Sequence, residues 1–145
     1  MILLYGQGLL NVFKPVVDNR GIDLIVMRDG VFNPIFLQVK SRFNAHQKES
    51  LLVDIRDSTF SPHHSFYIIA ASFNPISLEL DDRLLFIPSE ELNVKVKPNE
   101  KYGIRRITVS LKEKSKAQWT TSLIPKSELV ERLMEKFEEM SKYYK

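Results

Sequence analysis

The stretch from Gly21 to Arg42, GIDLIVMRDGVFNPIFLQVKSR, constrains the fold more than any other part of this chain. Two apolar, β-branched segments, 21–27 and 35–42, flank a connection holding Asp-Gly and Asn-Pro, both strong chain-reversal pairs. This pattern predicts a β-hairpin whose strands are largely buried. Each strand nevertheless carries polar exceptions: Asp23 in the first, Gln38 and Lys40 in the second. Leaving such groups buried without partners costs on the order of several kcal/mol. A side-chain period of two puts Gln38 and Lys40 on one face, and Asp23 lies near the start of the neighbouring strand, so the three can converge.

Taken singly, these residues have ordinary explanations. Asp23 would cap the turn after Gly21, and Gln38 and Lys40 would form the wet face of an edge strand. Their conjunction is more specific. An Asp on one strand, followed on the next by an acid or amide, one spacer and a Lys, resembles the PD-(D/E)XK nuclease superfamily. IDLIV at 22–26 and FLQVKS at 36–41 carry the resemblance. It implies a restriction-endonuclease-like α/β (α+β) fold, with a mixed central β-sheet flanked by helices. It also implies a metal-dependent deoxyribonuclease that hydrolyses phosphodiester bonds, with Asp23, Gln38 and Lys40 as the catalytic set. Magnesium, or manganese in its place, would be held by Asp23, the Gln38 amide and the Val39 carbonyl, and Lys40 would stand beside the attacking water. Gln38 replaces the family's usual acid and brings no charge.

The family's opening helix often adds a Glu to the metal site. Here the apolar segment 1–10 reads as a short helix whose only comparable side chain is Gln7. Either the chain begins part-way through that helix or this ligand is missing. Asp18, in the turn-rich segment 18–21, reads as a turn residue close to the site.

With 145 residues, 43% apolar and 27% charged, the chain reads as a single domain over 1–145. It has no cysteine, which removes disulfides and thiolate chemistry and suggests a reducing cytoplasm. No apolar run approaches the roughly 20 residues of a membrane helix, and the first residues lack a signal peptide's basic flank. The net charge is only +3, yet six basic residues stand against one acid between Lys101 and Gln118. Candidate nucleic-acid contacts are therefore Arg42, Lys48, Arg105, Arg106, Lys112, Lys114 and Lys116. The alternative is a solvated strand pair and loop. DNA is the implied partner, with RNA left open.

Further strands are expected at 11–17, 51–55, 66–71, 83–87 and 104–111, the apolar run 66–71 being central. In the last of these, Ile107, Val109 and Leu111 should face one way and Arg106, Thr108 and Ser110 the other. Ser89 would cap a short helix over 89–92. A longer helix is expected over 125–143, with Pro125 at its start and a stripe of Leu129, Leu133, Phe137 and Met140. That stripe would either cover the sheet or meet a second copy in a homodimer. Trp119 reads as a core anchor, and His63 and His64 as loop residues poorly placed to share a metal. Besides the nuclease, two readings stand: an inactive relative that binds nucleic acid without cutting, and a dimeric protein-interaction module built on the last helix.

Overall fold

The computed structural model describes residues 8–142 apart from 18, 19, 44, 46, 113 and 114. In chain order the strands are β1 (Leu10–Phe13), β2 (Leu24–Arg28), β3 (Ile35–Phe43), β4 (Ser50–Arg56), β5 (Phe66–Phe73), β6 (Arg83–Pro88), β7 (Ile104–Ser110) and β8 (Leu123–Pro125). The helices are α1 (Ser89–Lys95), between β6 and β7, and α2 (Leu129–Ser141), after β8. Six strands form one mixed sheet in the order β1-β2-β3-β5-β6-β8, in which only β3 and β5 run parallel. β4 and β7 form a separate antiparallel ribbon. This is a mixed α+β fold, as the sequence predicts.

β2 and β3 pair as the expected hairpin, with Leu24 opposite Leu37 and Val26 opposite Ile35. β5 is apolar from Phe66 to Ala71 because both of its faces are covered. Tyr67, Ile69 and Ala71 meet Leu129, Leu133, Phe137 and Met140 of α2 in one core, together with Leu37 and Leu84. Phe66, Ile68 and Ala70 belong to a second core with Val53, Ile55, Ile107 and Val109 of the ribbon, Leu92 of α1 and the anchor Trp119. The protein is thus layered: helix, six-stranded sheet, then ribbon with α1.

Several expected boundaries move. β1 stops at Phe13, two residues before Pro15, whose missing N–H cannot extend a ladder. Residues 1–7, most of the opening helix expected over 1–10 and with it Gln7, lie outside the described residues, as does Asp18, and Leu10 at that segment's end begins β1 instead. α1 runs on to Lys95, and Ser89 is its first helical residue instead of its cap. The Ser89 hydroxyl is used elsewhere: it donates to the His63 carbonyl and accepts from the His63 N–H, both at 2.9 Å, pinning the loop before β5.

The last helix does not begin at Pro125. That residue closes β8, opposite Arg83, and a 3-10 turn over Lys126–Glu128 intervenes before α2. β8 is an edge strand, where a proline sacrifices no ladder bond. The apolar stripe of α2 is at most 5% exposed and is consumed by the chain's own sheet, so it does not supply the dimer face that its periodicity also allowed.

Candidate active site and nucleic-acid face

The site begins where β2 and β3 part. The Asp23 N–H still donates to the Leu37 carbonyl at 2.9 Å, but the next N–H along β3 that faces this edge, Val39, meets a side chain instead: it donates to Asp23 Oδ2 at 2.6 Å. The Asp23 carboxylate therefore replaces a missing rung of the ladder. It lies against the residue that separates Gln38 from Lys40. Because amide and carbonyl of one strand residue point to the same edge, the Val39 carbonyl is directed toward this gap as well.

Gln38 is 6% exposed, and its amide makes no hydrogen bond to any described residue. It lies under Gly21, where a Cβ would come within 3.0 Å of Gln38 Nε2 and 3.6 Å of Thr59 Oγ1. Gly21 also holds φ at +67°, in the left-handed region that L side chains avoid. Both constraints select glycine at the entry to Asp23. Gly21→Ala is expected to cost about 1–3 kcal/mol from the backbone alone. A urea-melt midpoint equal to wild type would show that the segment relaxes without strain.

Lys40 follows Gln38 on the same face of β3, and beyond it Arg42 reaches the free edge of β4, where its Nε donates to the Leu52 carbonyl at 3.0 Å. Here the structure adds a residue that sequence reasoning passed over. Asp54 stands directly opposite Arg106 in the ribbon and accepts two bonds from it, Nε to Oδ1 at 2.7 Å and Nη2 to Oδ2 at 2.9 Å. The Arg106 hydrogen bond holds the Asp54 carboxyl below the usual carboxylate range; partial burial opposes this, and the charges of Arg106, Arg42 and Lys40 reinforce it. The sequence signal was the alternation in LLVDI, which turns Asp54 away from Leu51, Val53 and Ile55. Its partner 52 residues on had no local signature.

A carboxyl group with a lowered folded-state pKa contributes stability above its unfolded value, about 3.9, and loses it as pH falls through the folded value. Asp54→Asn should therefore melt below wild type at pH 7, with the gap closing below about pH 4. A gap independent of pH would remove the charge from this account.

The other candidate contacts separate. Arg105 is 8% exposed, its Nε donating to Asp57 Oδ1 at 2.8 Å and its Nη1 to the Val96 carbonyl, with the guanidinium over the Phe60 ring. It is a structural residue and not a phosphate contact, because the strand period that turns Arg106 outward turns Arg105 inward. Lys112 pairs with Glu49 at 3.6 Å at the far end of the ribbon. Lys48 and Lys116 are exposed, and Lys114 lies outside the described residues. His63 and His64 occupy the loop expected of them, with the His63 ring bonded to the Ser65 hydroxyl.

The donor set beside Asp23 can be tested against a divalent cation. It consists of one carboxylate, a peptide carbonyl and an amide that bonds to no described residue, all oxygen donors of the kind magnesium takes together with water. Among the described residues no group of three or more Asp, Glu or His side chains comes together. The set suits a hard cation in kind, with a single protein charge to hold it.

The mixed sheet with its flanking helix is a nuclease-like α+β fold. A solved structure of a bacterial homing endonuclease, I-Ssp6803I, shares it with a TM-score of 0.58 at 15% identity, over 99% of this chain and 88% of that one. No protein-family model and no curated protein matches the sequence. Among the described residues no helix is long and apolar enough to cross a membrane.

Proposed function

We propose that this protein is a metal-dependent DNA endonuclease of the PD-(D/E)XK kind, in which glutamine replaces the second acid. The observation that carries this reading is the Asp23 carboxylate bound to the Val39 N–H, with Gln38, whose amide bonds to no described residue, and Lys40 on either side of Val39 in the chain. The Gln38 amide makes no hydrogen bond to the described residues, and a cation or its bound water is a partner of the right chemistry for its oxygen. Asp23, the Val39 carbonyl and Gln38 would hold magnesium, or manganese, which when bound supplies Lewis-acid polarisation of a phosphate oxygen. Likeness in fold to a homing endonuclease supports DNA as the substrate.

The chain's own groups then have distinct tasks. Asp23, tied to backbone, keeps its carboxylate at the strand edge. Lys40, on the same face of β3 as Gln38, would bring a cation to this edge, to orient a water for attack on phosphorus and stabilise negative charge as the new P–O bond forms and the bond to the leaving sugar oxygen breaks. Arg42, fixed on β4, extends the positive charge outward.

The test is single-turnover cleavage of plasmid DNA with magnesium. Wild type should cut, and Lys40→Ala should be slower by about two to three orders of magnitude, the scale of losing one preorganised electrostatic group. Equal rates for the two would end the assignment. One observation favours a second reading, a relative that binds DNA without cutting: among the described residues no three Asp, Glu or His side chains gather to hold a metal. Salt-dependent, magnesium-independent binding with no cleavage would establish that reading.

A further inference from the structure

The β4–β7 ribbon presents two contrasting faces. Leu51, Val53, Ile55, Ile107 and Val109 are buried against the sheet, whereas Leu52, Arg56, Arg106 and Thr108 are exposed on the other side. No strand or helix of the described residues covers that outer face. Its charge is one-sided: Arg56 and Arg106 on the ribbon, with Lys40 and Arg42 at its edge, stand against Asp54 alone. The Arg56 guanidinium has no hydrogen-bond or ion-pair partner among the described residues. The face is also continuous with the candidate active site through the Arg42–Leu52 bond.

A two-stranded antiparallel ribbon is one of the two protein elements that the major groove of duplex DNA, about 12 Å wide, admits. The opposed Asp54–Arg106 pair gives this ribbon a reading head. Asp54 engages Arg106 side-on, through Nε and one hydrogen of Nη2, so Nη1 and the other Nη2 hydrogen remain available as a planar pair. That geometry matches the two acceptors, O6 and N7, that guanine shows in the major groove. Holding the guanidinium in advance also reduces the ordering cost of the contact.

We infer that the outer face of the β4–β7 ribbon enters the major groove of duplex DNA and that Arg106, fixed by Asp54, reads a guanine there. This rests on the endonuclease reading and adds to it a sequence preference. Arg56 and Arg42 are then phosphate contacts, which set register and carry no sequence information.

The experiment selects bound molecules from a random-sequence duplex library with the full chain, in the presence of a chelator so that no cutting occurs, and compares wild type with Arg106→Lys and Arg56→Ala. Wild type should enrich a motif with a fixed guanine. Arg106→Lys keeps the charge and loses the fork, so preference for that guanine should fall about 10- to 100-fold while the salt dependence of binding stays near that of wild type. Arg56→Ala should keep the motif and weaken binding to all sequences alike, with the log–log salt slope reduced by about one. Melting curves confirm that both exposed substitutions leave the fold in place. A guanine preference that survives Arg106→Lys overturns the inference. So does tight, salt-dependent duplex binding by wild type with no enriched motif, a result that leaves the endonuclease reading standing. Absence of duplex binding at low salt removes the endonuclease reading and this inference together.

Discussion

Asp23→Asn is expected to lower DNA cleavage by about two to three orders of magnitude while changing the melting temperature little. The substitution separates two roles that alanine would confound. The carboxylate serves the fold by accepting the Val39 N–H, and the asparagine carbonyl can accept that same bond. It serves the chemistry, on our proposal, as a negative charge offered to a cation, and asparagine removes that charge. Asp23→Ala removes both, and should add a stability loss of about 1.5–3 kcal/mol, typical of a lost hydrogen bond to a charged group. Cleavage kinetics with magnesium and thermal melts of the three proteins supply the comparison. Full activity in Asp23→Asn would leave Asp23 with its backbone role only.

The largest loss of stability should follow Phe137→Ala. Phe137 is 1% exposed, in the layer that α2 makes with Tyr67, Ile69 and Leu37 of the sheet. Truncating a buried phenylalanine costs about 3–5 kcal/mol, from lost transfer free energy and the cavity left behind. A domain of this size is stabilised by only about 5–15 kcal/mol in total, so the midpoint should fall by roughly 10–15 °C. Chemical denaturation checks the free energy directly. A change below 1 kcal/mol would mean that α2 is not part of the cooperative core. The same variant bears on assembly: because the stripe is spent inside the chain, its loss should act on the unfolding of a single copy, with no dependence of the midpoint on protein concentration.

Local signals were legible wherever a residue's fate depended on near neighbours. The hairpin of β2 and β3 follows from two β-branched runs and a reversing connection, and with it the placement of Asp23 against Val39, the residue between Gln38 and Lys40. β5 announced itself by being apolar on both faces, and α2 by its 3.6-residue stripe. β8 did not, because three residues carry no period and Pro125 argues for a helix start until an edge strand is there to take it. Ser89 likewise looked like a cap, and only the arrival of the loop at His63 gave its hydroxyl other work.

Sequence by itself determined which strands carry polar groups at buried positions, since composition and alternation are written residue by residue. What those groups touch was decided by tertiary structure: Asp23 on a backbone N–H, Arg105 inward on Asp57, and Asp54 across from Arg106 at a separation of 52 residues. The physical reason is that strand pairing is non-local. A ladder between distant segments is specified by the match of whole apolar faces in three dimensions, and only when that match is made does each polar side chain acquire a partner, a neighbour's charge or an open face toward solvent.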